Sequence, residues 1–384
     1  MRKRDRVKRN FFGKAFLTTV SATAIAGLAL TACGSDNNAG SSGTSGSAAG
    51  TAAAGAAEDC EGKTSVTAEG ATSQQNAIAV FNQVWGQVCS GKNLSYNPTG
   101  SGAGREQFIA GNVDFAGSDS PLSESQIAAA AERCGGNPAW NLPLVFGPVA
   151  MAYNVEGVED LTLNADVIAN IFQGAITNWN DPAIAALNEG KTLPDAAVTP
   201  IFRSDSSGTT DNFQKYLEAA APTVWTKGDG SEFQGGAGEG AQKSAGVVQA
   251  VQATPGAIGY VEKGFADQAG MPYAQIDTGS GPVALNDESA NKAIDAAGFA
   301  ADGNDLALDL ASLYGTKEEG AYPLVLATYE IVCSAGYDAD TSAAVKSFLT
   351  VAANDGQGGL SAAGYVPLPE RFKERLLNSI DAIA

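Results

Sequence analysis

Three segments of the sequence combine glycine with small hydroxyl residues and could bind an anion. They are 70–73 (GATS), 99–104 (TGSGAG) and 203–209 (RSDSSGT), and each directly precedes a predicted helix. The first N–H groups of a helix lack partners within it and the helix dipole is positive there, so such an end attracts negative charge. Hydroxyl groups add hydrogen-bond donors, and glycine lets the backbone approach a bound anion closely. Taken singly, each segment is more typical of an ordinary helix N-cap.

The third segment also carries a cation. Arg203 has a planar guanidinium that can donate two hydrogen bonds to one anion, and Asp205 follows two residues later. Asp205 could hold and orient that guanidinium. The alternative is a surface Arg–Asp pair, which would contribute ~0–1 kcal/mol.

An acid follows a short apolar strand in the segment 112–122 (NVDFAGSDSPL). Phosphate near neutral pH carries at least one O–H, which Asp119 could accept in a hydrogen bond, whereas sulfate carries none. Facing sulfate, the buried carboxylate would lack a donor, at a cost of ~1–3 kcal/mol or more. The pattern fits equally well an acid that caps the helix after Pro121. Asp114 in the same segment is interpreted as structural.

Composition narrows the classes of function. The 384 residues hold 23 bases, 42 acids and no histidine, with a formal charge of −19. This acidity disfavours nucleic acid and anionic lipid surfaces as partners. The lack of imidazole excludes histidine-dependent catalysis and histidine-ligated metals. Any anion site must therefore rely on short-range donors.

The N-terminus is predicted to be an export signal. A basic segment is followed by the uncharged stretch 15–32, which is too short and too polar for a confident membrane span and ends in Cys33. Residues 30–33 (LTAC) resemble a bacterial lipobox, which implies cleavage before Cys33 and a lipid such as palmitate on its sulfur. The alternative is an ordinary signal peptide with a chance cysteine. Residues 34–57 are nearly all small or polar, so 33–57 is interpreted as a flexible tether behind the anchor.

Four further cysteines follow, without a CxxC pair: Cys60, Cys89, Cys134 and Cys333. In an exported protein two disulfides are the default, and three connectivities are possible. We favour Cys60–Cys89 with Cys134–Cys333. Cys60 and Cys89 each precede a predicted strand, and adjacent parallel strands would bring the two thiols together.

Strands and helices alternate along the chain, which predicts a parallel sheet covered by helices. Strands are predicted at 64–68, 94–97 and 113–116, and helices at 105–110 and 162–172. Apolar residues at 78, 81, 85 and 88 predict one face of the first helix. The long apolar runs 143–154 and 324–329 predict two buried strands joining two α/β lobes. Lobe I would comprise 58–152 plus 326–384 and lobe II 153–325, with hinges near 149–154 and 324–329.

Together the three hydroxyl-rich segments and 113–119 (VDFAGSD) resemble the phosphate-binding subunit of Pst-type phosphate importers, the substrate-binding lipoproteins of ABC systems. The resemblance covers nearly all of residues 60–384. It implies the type II periplasmic-binding-protein fold, with a ligand cleft between two lobes. It also implies the phosphate ligands Thr72, Ser73, Ser101, Asp119, Arg203, Ser207, Gly208 and Thr209, with Asp205 orienting Arg203. The family commonly has an aromatic residue at the position of Ser73, where its contribution is made by the backbone.

The resemblance implies capture without chemistry. Phosphate would bind between Thr72, Ser73, Ser101 and Asp119 on one lobe and the 203–209 ligands on the other. The closed form would be recognised by the permease and ATPase subunits of an ABC importer, with the chain lipid-anchored on the extracytoplasmic face of the cell membrane. No cofactor, metal or nucleic acid is expected. The alternatives are a binder of another oxyanion, such as sulfate or molybdate, and a secreted phosphatase using Ser207.

Overall fold

The computed structural model describes residues 60–384. The predictions for the signal peptide, Cys33 and the tether lie outside these residues. The helices of the described part are α1 Gln75–Val88, α2 Ser101–Ile109, α3 Glu124–Arg133, α4 Ala165–Gln173, α5 Pro182–Ala186, α6 Gly208–Ala220, α7 Lys243–Ala253, α8 Lys263–Gln268, α9 Asp287–Ile294, α10 Ala311–Tyr314, α11 Ala339–Asn354 and α12 Glu370–Asp381. Between residues 60 and 384 no helix is both long and apolar enough to cross a membrane.

The strands form one large sheet and two small ones. They are β1 Ser65–Gly70, β2 Asn93–Pro98, β3 Phe115–Ser118, β4 Ala139–Tyr153, β5 Thr162–Asn164, β6 Thr199–Arg203, β7 Glu239–Ala241, β8 Ala257–Glu262, β9 Gln275–Asp277, β10 Pro282–Val283, β11 Gly298–Phe299, β12 Leu308–Asp309 and β13 Val325–Cys333. The large sheet has the order β2-β1-β3-β13-β4-β8-β6-β7.

The large sheet is parallel at its two ends and antiparallel in the middle. β1 runs parallel to β2 and β3, and β6 runs parallel to β7 and β8, as the alternation of strands and helices predicts. β13 is antiparallel to both β3 and β4. The prediction of a parallel sheet is therefore wrong at the centre, because the long strands β4 and β13 run antiparallel to each other and to their outer neighbours β8 and β3.

Strand β4 connects the two α/β lobes. Its first part pairs with β13, from Ala139↔Cys333 to Pro148↔Val325, and its last five residues pair with β8. From Asn141 onward β4 is buried, and so is all of β13, which explains their continuous apolar sequences. The lobe boundaries within these strands stay predictions.

Two helix starts differ from the sequence predictions. α2 begins at Ser101 rather than at residue 105, so the second hydroxyl-rich segment forms the first turn of the helix. Gly100 precedes it with φ 109°, a backbone conformation that favours glycine. Residues Thr162–Asn164 form β5, and the helix begins only after Asn164, whose side chain accepts a hydrogen bond from Val167 N–H.

The apolar face of α1 is confirmed in part. Ile78, Phe81 and Trp85 are buried, and the Trp85 indole donates a hydrogen bond to Ser347 Oγ at 3.0 Å. Val88, the last residue of the helix, is 41% exposed.

The four cysteines pair in the favoured connectivity. Cys60 is bonded to Cys89 and Cys134 to Cys333, each pair with Cα atoms 5.4 Å apart. β1 and β2 are parallel neighbours, which is the arrangement that predicts the first bond.

Candidate functional site

The first hydroxyl-rich segment turns at the carboxyl end of β1. Ala71 N–H donates to the Gly117 carbonyl at 2.8 Å, and the backbones pass so closely that a Cβ on Gly70 would lie 2.0 Å from the same oxygen. The neighbouring ends of β1 and β3 thus place Ser73 within hydrogen-bond distance of Asp119. Parallel strands that end at one edge of a sheet commonly form a ligand site there.

Asp119 is buried, with only 3% of its surface exposed. One carboxylate oxygen accepts hydrogen bonds from Ser73 Oγ at 2.5 Å and Thr328 Oγ1 at 2.7 Å. The other accepts from Ser101 Oγ at 3.2 Å, and the Asp119 backbone N–H donates to the same Ser101 oxygen at 3.1 Å. The acid therefore links β3, β13 and the first turn of α2.

Burial raises the pKa of Asp119 to about 6. The hydroxyl donor of Ser73 opposes this shift, the negative charge of Glu262 adds to it, and Thr328 and Arg203 oppose it. The group is therefore ionised at neutral pH and acts as a hydrogen-bond acceptor there. It becomes a donor only in mild acid.

Arg203, at the end of β6, is clamped by Asp205. Its Nε and Nη2 donate to the two carboxylate oxygens at 2.7 and 2.5 Å, while Lys243 N–H donates to the same carboxylate at 2.9 Å. Burial opposes the charge of Arg203, but Asp205 raises the pKa of the guanidinium above its ordinary value. The pair is buried on the arginine side, with 2% of the Arg203 side chain exposed, so it is not the surface pair considered above.

The 207–209 residues begin helix α6. Ser207 is the N-cap, and its Oγ accepts from Thr210 N–H at 3.2 Å. Gly208 packs against Asp119 so closely that an added Cβ would lie 2.5 Å from Asp119 Cβ and 2.6 Å from Ser101 Oγ. A side chain at this position would push the ends of α2 and α6 apart.

The three segments meet in one buried cluster. Thr72 Oγ1 lies 2.8 Å from Ser244 Oγ, and Arg203 Nη1 lies 3.5 Å from both Ser244 Oγ and Thr209 Oγ1. Gly102 N–H donates to the Ser206 carbonyl at 3.2 Å, which ties α2 to the third segment. The structure brings together all of the sequence-predicted residues, namely Thr72, Ser73, Ser101, Asp119, Arg203, Asp205, Ser207, Gly208 and Thr209.

Sequence reasoning missed three members of this cluster. Ser244 stands in the first turn of α7 and carries the same signal as the other hydroxyls, a small donor at a helix start. Glu262 ends the buried strand β8, as Asp119 follows β3, so an acid at a strand end was the available signal. Thr328 lies inside the apolar run of β13, where nothing in the sequence distinguishes it.

The cluster can bind a small tetrahedral anion. It combines one guanidinium, several hydroxyl groups and the N-termini of α2 and α6 with a carboxylate acceptor. A purely cationic site would lack that acceptor. The arrangement therefore favours an anion that carries its own proton.

Comparisons with known proteins agree on one family. The model of the PBP superfamily domain matches residues 39–355. The chain is 47% identical to phosphate-binding protein PstS 3 of Mycobacterium tuberculosis, over 98% of this chain and all of that protein. It is 46% identical to PstS 3 of Mycobacterium leprae, over 93% of this chain and 96% of that one. The fold is similar to that of a high-affinity periplasmic phosphate-binding protein (PfluDING) bound with phosphate, with TM-score 0.67, 24% identity, and coverage of 81% of this chain and 92% of that one.

Proposed function

Because this chain belongs to the PstS family of phosphate-binding proteins within the PBP superfamily, we propose that it captures inorganic phosphate outside the cytoplasm and delivers it to an ABC importer. The observation that carries the proposal is the position of Asp119. An ionised, buried acceptor lies in the same cluster as the guanidinium of Arg203, which suits an anion with an O–H group.

Phosphate would be held from two sides of the cleft. Thr72, Ser73, Ser101 and Asp119 would contact it from one lobe. Arg203, Ser207, Gly208 and Thr209 would contact it from the other, with Asp205 keeping the guanidinium in place. Because the ligand bridges both lobes, its binding stabilises the closed form, with β4 and β13 as hinge strands.

The proposed role is capture and delivery, without a chemical step. Ser207, the residue a phosphatase would need as nucleophile, is engaged as the N-cap of α6, and the chain has no histidine to activate it. The partners would be the permease and ATPase subunits of the importer, which recognise the closed form. A lipid on Cys33 would keep the chain at the extracytoplasmic face of the cell membrane.

Calorimetry with phosphate and sulfate tests this function. We expect the phosphate-stripped protein to bind phosphate tightly at pH 7.5 and sulfate at least 100-fold more weakly. In Asp119→Asn, phosphate affinity should fall ~10- to 100-fold, since the charged acceptor is lost. Sulfate affinity should rise, because the amide can donate a hydrogen bond to it.

The pH dependence provides an internal control. As the pH falls below about 6, Asp119 of the parent protein gains a proton and becomes a donor. Sulfate binding should therefore strengthen in acid in the parent and stay unchanged in Asp119→Asn. A folded protein that gives no heat with phosphate at any pH would contradict the proposed function.

The close approach at Gly208 predicts a second effect on binding. Gly208→Ala should weaken phosphate binding ~10- to 100-fold, because overpacking costs ~1–3 kcal/mol and wedges Asp119 and Ser101 away. Gly246→Ala in α7 is the matched control, since an added Cβ there has no neighbour closer than 3.8 Å. Equal dissociation constants for the two variants would show that this contact is absent from the phosphate complex.

A further inference from the structure

Arg105 is a buried cation that phosphate capture, as described above, does not use. It lies on α2, and only 8% of its surface is exposed. Its Nη1 donates a hydrogen bond to Ser118 Oγ of β3 at 2.7 Å, and its Nη2 donates to Ser231 Oγ at 3.2 Å. None of the ion pairs formed within residues 60–384 includes Arg105. Two neutral hydroxyl groups therefore hold this guanidinium, one on its own side of the cleft and one on the opposite side.

The partner on the opposite side supports a proposed phosphate ligand. Ser231 belongs to the segment 228–232 (GDGSE), which lies between α6 and β7 in the predicted lobe II and is called the 228–232 loop below. The Ser231 carbonyl accepts a hydrogen bond from the Ser207 N–H at 2.9 Å. Arg105 is thus connected through Ser231 to the backbone of Ser207, at the start of α6. We interpret Arg105 as a positioning residue, because it reaches the anion site only through other residues.

A second contact joins the two sides next to the first. Ser120 Oγ donates a hydrogen bond to the Asp211 carboxylate of α6, whose other oxygen accepts from the Gly230 N–H of the 228–232 loop at 3.1 Å. On the opposite side, Ser118 Oγ donates to the Ser120 carbonyl at 2.6 Å. Ser118 and Ser120 are the residues before and after Asp119. The two sides are therefore in direct contact on both flanks of Asp119, as in a closed cleft.

The bond between Arg105 and Ser231 is suited to forming and breaking repeatedly. A hydrogen bond from a charged donor to a neutral hydroxyl is stronger than one between neutral groups, but it lacks the large penalty of breaking a buried ion pair. Arg105 Nε is buried without a hydrogen-bond partner among residues 60–384, which offsets part of the gain. The contact therefore does not hold the cleft closed by itself. It adds to the closing effect of a bound ligand.

We propose that Arg105 and Ser231 form a latch across the cleft, which determines how long captured phosphate stays bound. The inference rests on the proposed function of the site. Phosphate reaches the open cleft before the latch forms, so the association rate should not depend on the latch. The latch has to break before phosphate leaves, so its loss should appear in the dissociation rate, as for most contacts within an interface.

The test is the rate at which bound phosphate is released. The full-length protein, purified in detergent, is loaded with radiolabelled phosphate and then mixed with an excess of unlabelled phosphate, while calorimetry gives the dissociation constant and hence the association rate. Ser231→Ala should release phosphate ~10- to 100-fold faster than the parent, with an unchanged association rate. Ser280→Ala, at an exposed loop position, is the matched control and should release phosphate at the parental rate.

A double variant shows whether the two residues act through one bond. Arg105→Met should release phosphate at least as fast as Ser231→Ala, and combining the two changes should add nothing to the effect of Arg105→Met. Because the latch is broken in the open form, Ser231→Ala should leave the free energy of unfolding of the phosphate-free protein unchanged, which a merely structural role would not.

Ser231 lies in a half-buried loop, so its variant keeps the test decisive if Arg105→Met does not fold. Release from Ser231→Ala at the parental rate, or a loss of affinity that lies only in the association rate, would overturn the inference. A parent protein that binds no phosphate would instead refute the proposed function.

Discussion

Replacing Arg203 by alanine should weaken phosphate binding by about two to three orders of magnitude. Removing one partner of a buried ion pair costs ~3–5 kcal/mol, and each tenfold change in affinity corresponds to about 1.4 kcal/mol. The loss is large here because Asp119, Asp205 and Glu262 stay in the cluster without their cation. Calorimetry and the thermal shift produced by phosphate both measure the effect.

Two variants distinguish the contribution of the planar guanidinium to phosphate affinity from the contribution of its positive charge. Arg203→Lys retains a cation but loses the planar fork that Asp205 clamps, so its affinity should lie between those of the parent and the alanine variant. Lys227→Ala, which removes an exposed base of the same charge, should leave the affinity unchanged. If the Lys227 and Arg203 variants lost affinity equally, long-range attraction rather than the buried pair would hold the anion.

Replacing Glu330 by glutamine should stabilise the phosphate-free protein at alkaline pH. Glu330 lies on β13 between Gly117 and Leu142, is fully buried, and neither carboxylate oxygen makes a hydrogen bond of ordinary geometry within residues 60–384. Burial raises its pKa to about 8. The amide of Gln74 lowers the pKa of Glu330, and the negative charge of Asp119 raises that pKa further. Burial is the largest of these effects on the pKa.

The sign of the pH effect follows from proton binding. The folded chain keeps the Glu330 proton up to a pH of about 8, whereas the unfolded chain releases it at the ordinary value near 4.5. The free energy of unfolding therefore falls as the pH rises between these values, and the full loss is reached above the folded pKa. Glu330→Gln removes this loss, which is on the order of 5 kcal/mol at pH 9 and close to zero at pH 4.5.

Denaturant unfolding of both proteins at pH 5, 7 and 9, without phosphate, measures this difference. Gln74 Oε1 is also buried without a partner, so it is an available acceptor for the new amide. Glu132→Gln, at an exposed position of α3, is the matched control and should show no such trend. A stability difference that does not grow with pH would mean that Glu330 is ionised in the folded protein.

The site residues that lie at helix starts were predictable from the sequence, because neighbouring residues determine the structure of a first helical turn. A glycine or small hydroxyl at a helix start, as at Ser101 and Ser207, is visible because the backbone of a first turn has to be capped by neighbours in sequence. Thr328 could not be assigned to the site in this way, and Glu262 carried only the signal of an acid at the end of a strand. Each lies in or at the end of a buried strand, and only the pairing of distant strands brings it to Asp119 or Thr209.

The same distinction applies to the fold. The alternation of strands and helices predicted the parallel ends of the large sheet, since βαβ units are built from neighbouring residues. The antiparallel insertion of β13 between β3 and β4 joins residues nearly 200 positions apart, as the Cys134–Cys333 bond also does. Hydrophobicity identified β13 as buried but carried no information about its neighbours or direction.

The central place of β13 has a consequence for the order in which the protein matures. β13 is the last strand of the large sheet in chain order, yet it fills the middle of that sheet and supplies Thr328 to Asp119. During synthesis, which proceeds from the N-terminus, β1 to β8 emerge with a gap between β3 and β4 that local folding cannot close. Cys60 can pair with Cys89 early, whereas Cys134 has to wait for Cys333. An incomplete chain therefore lacks the full Asp119 cluster, which can form only after almost the whole polypeptide has emerged.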